Sequence, residues 1–349
     1  MSLPSGTFQE SYAQDMAIFR TRAQWILLGL FLILLFTFPL YSSGSYLTLM
    51  ITIGIAIIAV HGLNILTGYC GQLSLGQAGF MAVGGYTLAI LSAKLSWPFW
   101  IALPAAGLAA GIVGIIFGLP SLKVKGFYLI MATVAAHFII IWLILQFQGL
   151  TGGANGLPIP KATLFGINLN TKTAFFYLVM VITVISTYLA KNIVRTRAGR
   201  AFVAIRDNDL AAEVMGVNLW IYKLQAFFIG CVFAGIAGAL SVQFIRFANV
   251  DQFPFWNSIW YLGMLIVGGL GSTVGAIFGV AVIKLLEHYM TLLAPVLALW
   301  QFVPPQAAAA LSLIMRGLII AIFLIFEPKG MAHLWERVKA YYRLWPFSH

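Results

Sequence analysis

Side chains that could carry out chemistry are few in this sequence, and they do not form a catalytic or metal-binding set. The nucleotide-binding pattern GxxxxGKS/T, the zinc-protease pattern HExxH and the hydrolase pattern GxSxG are all absent. The two cysteines, Cys70 and Cys231, lie in apolar surroundings without metal-ligand spacing. The sequence therefore predicts a chain with no catalytic residue, metal site or cofactor of its own, which does not hydrolyse ATP itself.

The ionisable residues inside or beside apolar stretches are His61, His137, Lys284, Glu287, His288 and Arg316. Arg316 lies near the middle of the last stretch, where a charge costs about 2.5 to 3.5 kcal/mol. It is therefore either a functional residue or one whose side chain reaches to an interface. We interpret the two isolated histidines as hydrogen-bonded packing residues, and the other three as an interfacial group near a helix end.

The longest polar segment between apolar blocks covers residues 195–218, RTRAGRAFVAIRDNDLAAEVMGVN. Asn208 or Asp209 can cap a short helix there, and Gly216 can end it in a left-handed turn. The small residues that would let a partner approach closely are Gly199, Ala201, Ala204, Ala211 and Ala212. The pattern predicts a short helix at the membrane surface that contacts a partner, and a solvated basic loop is the alternative.

Two glycine-rich segments interrupt the apolar pattern, at 67–79 (TGYCGQLSLGQAG) and 267–279 (VGGLGSTVGAIFG). Close helix packing is one cause of such clusters, and the spacing of Gly107 and Gly111 indicates the same. A substrate path is the other, because short, glycine-interrupted segments in two inverted halves are typical of discontinuous transport helices. The path residues under this hypothesis are Gly71, Gln72, Ser74, Gln77, Gly268, Gly269, Gly271 and Ser272.

The composition is that of a polytopic membrane protein, since 61% of the residues are hydrophobic and 8% are charged, against about a quarter charged in soluble domains. The net charge of +11 comes from basic residues between apolar blocks, which indicates contact with anionic lipid and not with nucleic acid. Because a helical span needs about 20 apolar residues, the sequence predicts ten spans. They cover 25–40, 46–66, 80–94, 97–119, 127–145, 173–190, 224–244, 258–270, 274–290 and 307–326.

The basic clusters at 20–22, 123–125, 195–206 and 329–343 provide a test of this count, because basic residues gather on the cytoplasmic side. An even number of predicted spans lies between each basic cluster and the next, so all four clusters fall on the same side of the membrane. We therefore predict an all-α polytopic fold of about ten helices in two inverted halves, with both termini cytoplasmic. The divisions are a polar tail (1–23), a membrane domain (24–326) with a cytoplasmic loop (191–223), and an interfacial helix with an aromatic anchor (327–349).

Five ordered motifs carry a resemblance to a known family: TGYCGQLSLGQAGFMAVGGY, LKVKGFYLIMATVA, LTGGANGL, GRAFVAIRDNDLAAEVMGVN and FEPKGM. From about residue 47 to the C-terminus, the chain resembles the M-type permease subunit of the ABC importers for branched-chain amino acids. The related urea and amide importers share most of these motifs. The N-terminal tail and Arg316 fall outside the pattern, so the resemblance gives them no role.

The resemblance implies a permease of the bacterial inner membrane, in contact with membrane lipid and paired with a second, homologous H-type permease. Two cytoplasmic ATPases, which would bind the ATP and Mg, and a periplasmic substrate-binding protein complete such an importer. The loop 191–223 would then hold the helix that couples to an ATPase. The matching residues are Gly199, Arg200, Ala204, Arg206, Asn208, Ala211, Ala212 and Gly216.

The outer loop 146–172 is either a docking site for the binding protein or a plain extracellular loop. Its candidate contact residues are Thr151, Gly152, Gly153 and Asn155. An ion-coupled secondary transporter is the first rival to the importer, although such proteins usually hold carboxylates within the membrane and here Glu287 alone lies near a span. For the importer we expect tryptophan at Ala211 or Ala212 to block the approach of the ATPase.

Overall fold

A computed structural model describes residues 22–42, 44–122, 126–164, 167–168, 171–298, 314, 317–318, 320–323, 325, 327 and 330–344. The predictions for the tail before residue 22, for Lys123 and Lys125, for most of the tenth span and for Arg316 lie outside these residues. The helices are α1 (Arg22–Tyr41), α2 (Gly44–Leu63), α3 (Gln77–Ala93), α4 (Phe99–Gly118), α5 (Phe127–Gln146), α6 (Gln148–Thr151), α7 (Lys172–Arg195), α8 (Arg197–Asp207), α9 (Asp209–Val214), α10 (Leu219–Ile245), α11 (Phe255–Gly268), α12 (Thr273–Ala298) and α13 (Met331–Leu344).

Shorter elements connect these helices. A π-helical turn, Asn64–Tyr69, continues α2, and single turns of 3-10 helix cover Leu119–Leu122, Gly153–Asn155 and Val250–Gln252. Four two-residue strands form two antiparallel pairs, β1 (Leu157–Pro158) with β4 (Phe247–Ala248) and β2 (Thr163–Leu164) with β3 (Ile167–Asn168). The fold is therefore all-α, as predicted, with one small hairpin (β2–β3) and one strand pair (β1–β4) that joins two separate connections.

Among the described residues, six helices are long and apolar enough to cross a membrane. They are Gly44–Tyr69, Phe99–Gly118, Phe127–Gln146, Lys172–Arg195, Leu219–Ile245 and Thr273–Leu292. Two shorter apolar helices, Trp25–Tyr41 and Gln77–Ala93, coincide with further predicted spans. The chain is thus a multi-pass membrane protein. Nine of the ten predicted stretches coincide with described helices, although α7 and α10 extend about one turn beyond the predicted bounds and α12 about two turns.

Helix α10 lies at the centre of the bundle and packs along α4, α3 and α2. Glycines make these crossings close: a Cβ on Gly238 would overlap the carbonyl oxygen of Met81, and one on Gly84 would overlap Gly235. Gly107 and Gly111 of α4 lie against side chains of α10, so their predicted packing role is confirmed. Without a hydrophobic driving force in lipid, such backbone contact is what holds membrane helices together.

The bundle has two ends, which we name by their contents. The basic end holds α8, α9 and the arginines of 195–206, together with both glycine-rich segments. The opposite end holds α6 and the β1–β4 pair, where Lys94 Nζ donates a hydrogen bond to the carbonyl of Gly149. Helix α7 leads from the opposite end, where Lys172 Nζ donates to Thr48 Oγ1 of α2, to the basic end.

Candidate functional site

The polar segment 195–218 folds into two short helices: α9 is the predicted helix that begins after Asn208, and α8 is an additional helix before it. Thr196 caps α8, because its Oγ1 accepts a hydrogen bond from Gly199 N at 3.3 Å. Asn208 is extended and caps α9, with Oδ1 accepting from Ala211 N at 3.1 Å. Gly216 follows α9 with φ +86°, as predicted. The extended Asn208 is the reason for the split, since it interrupts the helical path.

The inner face of this segment packs against the membrane helices. Phe202 is completely buried, and Ala201, Ile205 and Ala212 are nearly so. Ala212 thus packs inward within the chain, whereas Ala201, although nearly buried, also lines the groove described below. Gly199 is also buried, and a Cβ there would overlap the carbonyl of Val194, so this glycine permits the tight α7–α8 corner.

The outer face carries an apolar tip that sequence reasoning missed. The tip consists of Leu210, Val214 and Met215, which are 67%, 87% and 84% exposed. Leu210 and Val214 are four residues apart and so share one face of α9. Apolar side chains on a helix too short to cross a membrane were the signal available in the sequence.

A groove of about 340 Å³, which we call the outer groove, lies beside this tip. Its lining residues are Arg197, Arg200, Ala201, Ala204, Met215, Gly216, Val217 and Tyr222. Arg200 is exposed, and its Nη1 donates to the carbonyl of Arg195 at 3.3 Å. Arg200, Ala204 and Gly216 of the predicted coupling set thus share one groove, and Ala211 is exposed nearby on α9.

Arg206 belongs to the other side of the segment. Its Nη1 donates a hydrogen bond of 3.0 Å to the carbonyl of Gly68, and its guanidinium pairs with Asp207 at 2.9 Å. With Asn208, it lines an inner cleft of about 370 Å³ between the segment and the membrane helices. The inner cleft is lined by Cys70, Gly71, Gln72, Gly126, Leu129, Ile205, Arg206, Asp207, Asn208, Asp209 and Lys223.

The first glycine-rich segment forms a partly buried turn, residues 70–76, between the π-helical turn and α3. Gly71 has φ +72°, which favours glycine. Gln77 Nε2 donates to the carbonyl of Ala59 at 2.7 Å, and Ser74 Oγ accepts from Gly76 N at 3.3 Å. Gln72 is buried as well, so three of the four predicted path residues here are held in the protein interior as polar groups.

The second glycine-rich segment also forms a turn, residues 269–272, between α11 and α12. Gly269 and Gly271 have φ of +109° and +76°. Asn64, in the π-helical turn that leads into the first turn, holds the second turn. Its Oδ1 accepts from Gly271 N at 2.9 Å and its Nδ2 donates to Ser272 O at 3.1 Å. The prediction that both clusters are helix breaks is confirmed, and tertiary structure brings the two breaks together at the basic end.

Close packing accounts for the other glycines of this region. A Cβ on Gly268 would overlap the backbone of Gly275, so α11 and α12 touch at these positions. A Cβ on Gly330, which precedes α13, would likewise overlap the backbone of Gly269, at 2.5 Å from its Cα. Helix α13 therefore begins directly on the second turn.

The start of α13 is held by an ionic cluster around the buried carboxyl of Glu327. Arg337 Nη2 donates to Oε2, and His333 Nδ1 lies 3.0 Å from Oε1. These hydrogen bonds, that of Arg337 foremost, hold the pKa of the Glu327 carboxyl below its usual value. All three residues belong to the predicted interfacial segment 327–349, so the cluster fixes the chain that leads into α13 against that helix.

The four predicted contact residues of the outer loop divide by burial. Thr151 and Gly153 are buried, since Thr151 Oγ1 donates to the carbonyl of Ile144 at 2.6 Å and accepts from Gly153 N at 3.1 Å. Gly152 has φ +76°, and a Cβ there would overlap the carbonyl of Gly156. Asn155 is exposed. The first three residues shape the loop at the end of α5, and Asn155 is the one of the four whose side chain is exposed.

Most polar residues of the spans have local partners, as we predicted, but His137 is an exception. Its ring packs against those of Phe138 and Phe255, at 5.4 and 5.6 Å between centroids, and its buried Nδ1 has no hydrogen-bond partner among the described residues, so the predicted hydrogen bond is not found there. His61 Nε2 lies 3.0 Å from Thr187 Oγ1, and Lys284 Nζ pairs with Glu287 Oε2 at 2.9 Å. The ring of His288 packs against that of Tyr46 at 5.5 Å between centroids. These contacts are those of packing residues and an interfacial pair.

The sequence as a whole is similar to a known family. A family model described as "Branched-chain amino acid transport system / permease component" matches residues 45–324. The chain is 30% identical to the high-affinity branched-chain amino acid transport system permease protein LivM of Escherichia coli (strain K12), over 89% of this chain and 75% of that protein. The protein of the same name from Salmonella typhimurium is 29% identical over the same shares. A probable branched-chain amino acid transport permease protein LivM of Methanocaldococcus jannaschii is 25% identical, over 66% of this chain and 67% of that protein.

Proposed function

Because this chain belongs to the family of permease components of branched-chain amino acid transport systems, we propose that it passes branched-chain or related amino acids into the bacterial cytoplasm as part of an ATP-driven importer. It is a transport component and not an enzyme. Its membrane would be the inner membrane. A second, homologous permease, two ATPases that bind ATP and Mg, and a periplasmic binding protein would complete the importer.

The observation that carries this proposal in the structure is the apolar tip beside the outer groove. Exposed apolar patches rimmed by polar residues mark interaction sites, and methionine and arginine are enriched at protein–protein interfaces. Arg197, Arg200 and Glu213 flank Val214 and Met215, which suits a protein partner with an apolar pocket and a charged rim better than lipid tails. We assign the ATPase to this surface.

The substrate would pass near the two glycine turns. Both are breaks between short or closely packed helices, and both present buried polar groups in an apolar bundle. Discontinuous helices of this kind border the paths of many transporters. A neighbouring permease would supply the other wall, because the solute must cross where two subunits meet.

Two alternatives deserve a direct comparison. A urea or short-chain amide permease of the same family would share the fold, so substrate measurements decide between the two. An ion-coupled transporter would need a titratable group in the path, but Glu287, the carboxylate within the six described spans, is already paired with Lys284. That pairing favours the importer.

Reconstitution tests the function. In liposomes that hold the chain, its partner permease and the ATPases, with the binding protein outside, we expect leucine uptake only when ATP is inside. Excess isoleucine or valine should compete, and urea should not. Uptake driven by a proton or sodium gradient without ATP would contradict the importer, and competition by urea would contradict the amino-acid substrate.

The sidedness of the chain follows from the ten-span arrangement, with two inverted halves and both termini in the cytoplasm. Single cysteines placed at Arg20, Lys123, Arg200 or Arg337, in a background without the native cysteines, should react with an impermeant maleimide only after the membrane is opened. A cysteine at Lys161 should react from outside in intact cells. Labelling of any of the first four in intact cells would contradict this arrangement.

A further inference from the structure

Arg206 lies on the segment that carries the docking surface, yet it points away from that surface. The outer groove is lined by Arg197 and Arg200, whereas Arg206 lines the inner cleft. Its side chain is 38% exposed and contacts the membrane helices. An arginine that only bound the ATPase would face outward like Arg200.

The contacts of Arg206 reach both glycine turns. Its Nη1 donates to the carbonyl of Gly68 at 3.0 Å, and such charge-assisted bonds are stronger than neutral ones. A Cβ on Gly71 would lie 3.0 Å from Arg206 Cγ, and a Cβ on Gly271 would lie 3.0 Å from Nη1. The backbones of the two turns therefore pack directly against this one side chain.

The two turns are also tied to each other, so that a displacement of one reaches the other. Asn64 holds Gly271 N and Ser272 O, and a Cβ on Gly68 would lie 2.5 Å from Gly271 N. Asn64 and Gly68 belong to the same π-helical turn. A force on the Gly68 carbonyl thus acts on α2, α3, α11 and α12 together.

The inner cleft gives the segment room to move relative to the helices. Besides Arg206, a second polar tie crosses it, because Asp209 Oδ2 lies 3.8 Å from the nearly buried Lys223 Nζ of α10. Ion pairs and hydrogen bonds across a cleft can persist through small shifts of the segment. Energetic coupling requires such physical links between elements with two arrangements.

We propose that Arg206 is a positioning residue that transmits ATPase-driven movement of α8 and α9 to the two glycine turns, through its hydrogen bond to Gly68. This inference rests on the proposed function, in which the ATPase binds the apolar tip. The guanidinium moves with the end of α8, carries the Gly68 backbone with it, and shifts the second turn through Asn64. Arg206 therefore acts on the substrate path, and Arg200 acts on the ATPase.

Cys70 is a native probe of this movement, because it adjoins Gly71, is 2% exposed and lines the inner cleft. In a Cys231→Ala parent, the maleimide labelling rate of Cys70 is measured in the reconstituted complex, with and without ATP and vanadate. Allosteric coupling commonly changes an equilibrium by about 5- to 150-fold, so we expect at least about a fivefold change of rate. In Arg206→Ala and Arg206→Gln, we expect ATP and vanadate to change the labelling rate of Cys70 by less than about twofold. Substrate uptake should fall by at least about tenfold, while ATPase binding and the melting temperature of the permease stay unchanged.

Arg200→Ala is the matched control, since it removes an arginine of the same helix from the outer groove. It should weaken ATPase binding, yet Cys70 should respond fully at saturating ATPase. A parent-like Cys70 response in Arg206→Ala would overturn the proposal, as would loss of ATPase binding or of folding in both Arg206 variants. Failure of the parent itself to bind the ATPases would instead contradict the proposed function.

Discussion

The double variant Val214→Asp with Met215→Asp should lose the ATPase while the permease itself still folds. Both side chains are more than four-fifths exposed, so the change removes no internal packing. In a complex, the carboxylates would be buried against an apolar pocket without partners, which is costly. Hot-spot residues contribute about 2 kcal/mol or more each, so affinity should fall by about 30-fold at the least.

The measurement is the dissociation constant of the ATPase for detergent-purified permease, with uptake in liposomes as a second readout. Leu150→Asp is the control, because it places a carboxylate on an exposed apolar side chain at the opposite end of the bundle. It should leave ATPase binding unchanged. Binding by the double variant within about twofold of the wild-type value would rule out the apolar tip as the docking surface, since a hot spot contributes far more than that.

This test replaces the tryptophan substitutions that the sequence suggested. Ala212 is buried within the chain, so Ala212→Trp would disrupt the packing of α9 on the bundle and would report on folding. Ala211 is exposed, and tryptophan there still tests the approach of a partner. The exposed residues of the tip give the sharper experiment because their side chains have no internal role.

The second large effect is expected at the crossing of α3 and α10. In Gly238→Ala, the added methyl group would overlap the carbonyl oxygen of Met81, and in Gly84→Ala it would overlap the backbone of Gly235. Both obstacles are backbone atoms, so α3 and α10 must move apart to accommodate the methyl group. The close van der Waals packing between the two helices is then lost, and in lipid no hydrophobic effect compensates for that loss. We expect a destabilisation of more than about 4 kcal/mol, which is in the range of exceptional single mutations.

The yield and melting temperature of monodisperse, detergent-extracted protein measure this effect. Gly149→Ala is the matched control, because nothing lies within 4 Å of the position that its Cβ would occupy. It should behave like the wild type. A Gly238→Ala protein that melts within about 3 °C of the wild type would show that the crossing is not as close as described, because a destabilisation of this size shifts melting by far more.

Local features were predictable from the sequence, because each depends on residues that are neighbours along the chain. The apolar stretches predicted the helices, since span length and the satisfaction of backbone groups leave one solution in a membrane. Asn208 and Gly216 predicted the start and end of α9, because capping bonds join residues within one turn. The family resemblance added the partners, which no local pattern could supply.

Tertiary structure alone decided how these elements face one another. Three features of the site depend on helix orientation. Asn64 joins two glycine turns some 200 positions apart, and Arg206 turns inward. Ala212 is buried while Val214, on the same short helix, is exposed. Orientation is set by close packing between helices distant in sequence, such as the contact of Gly238 with Met81. Periodicity shows that a residue lies on a helix, but in a chain that is apolar on nearly every face it does not show which face meets a neighbour.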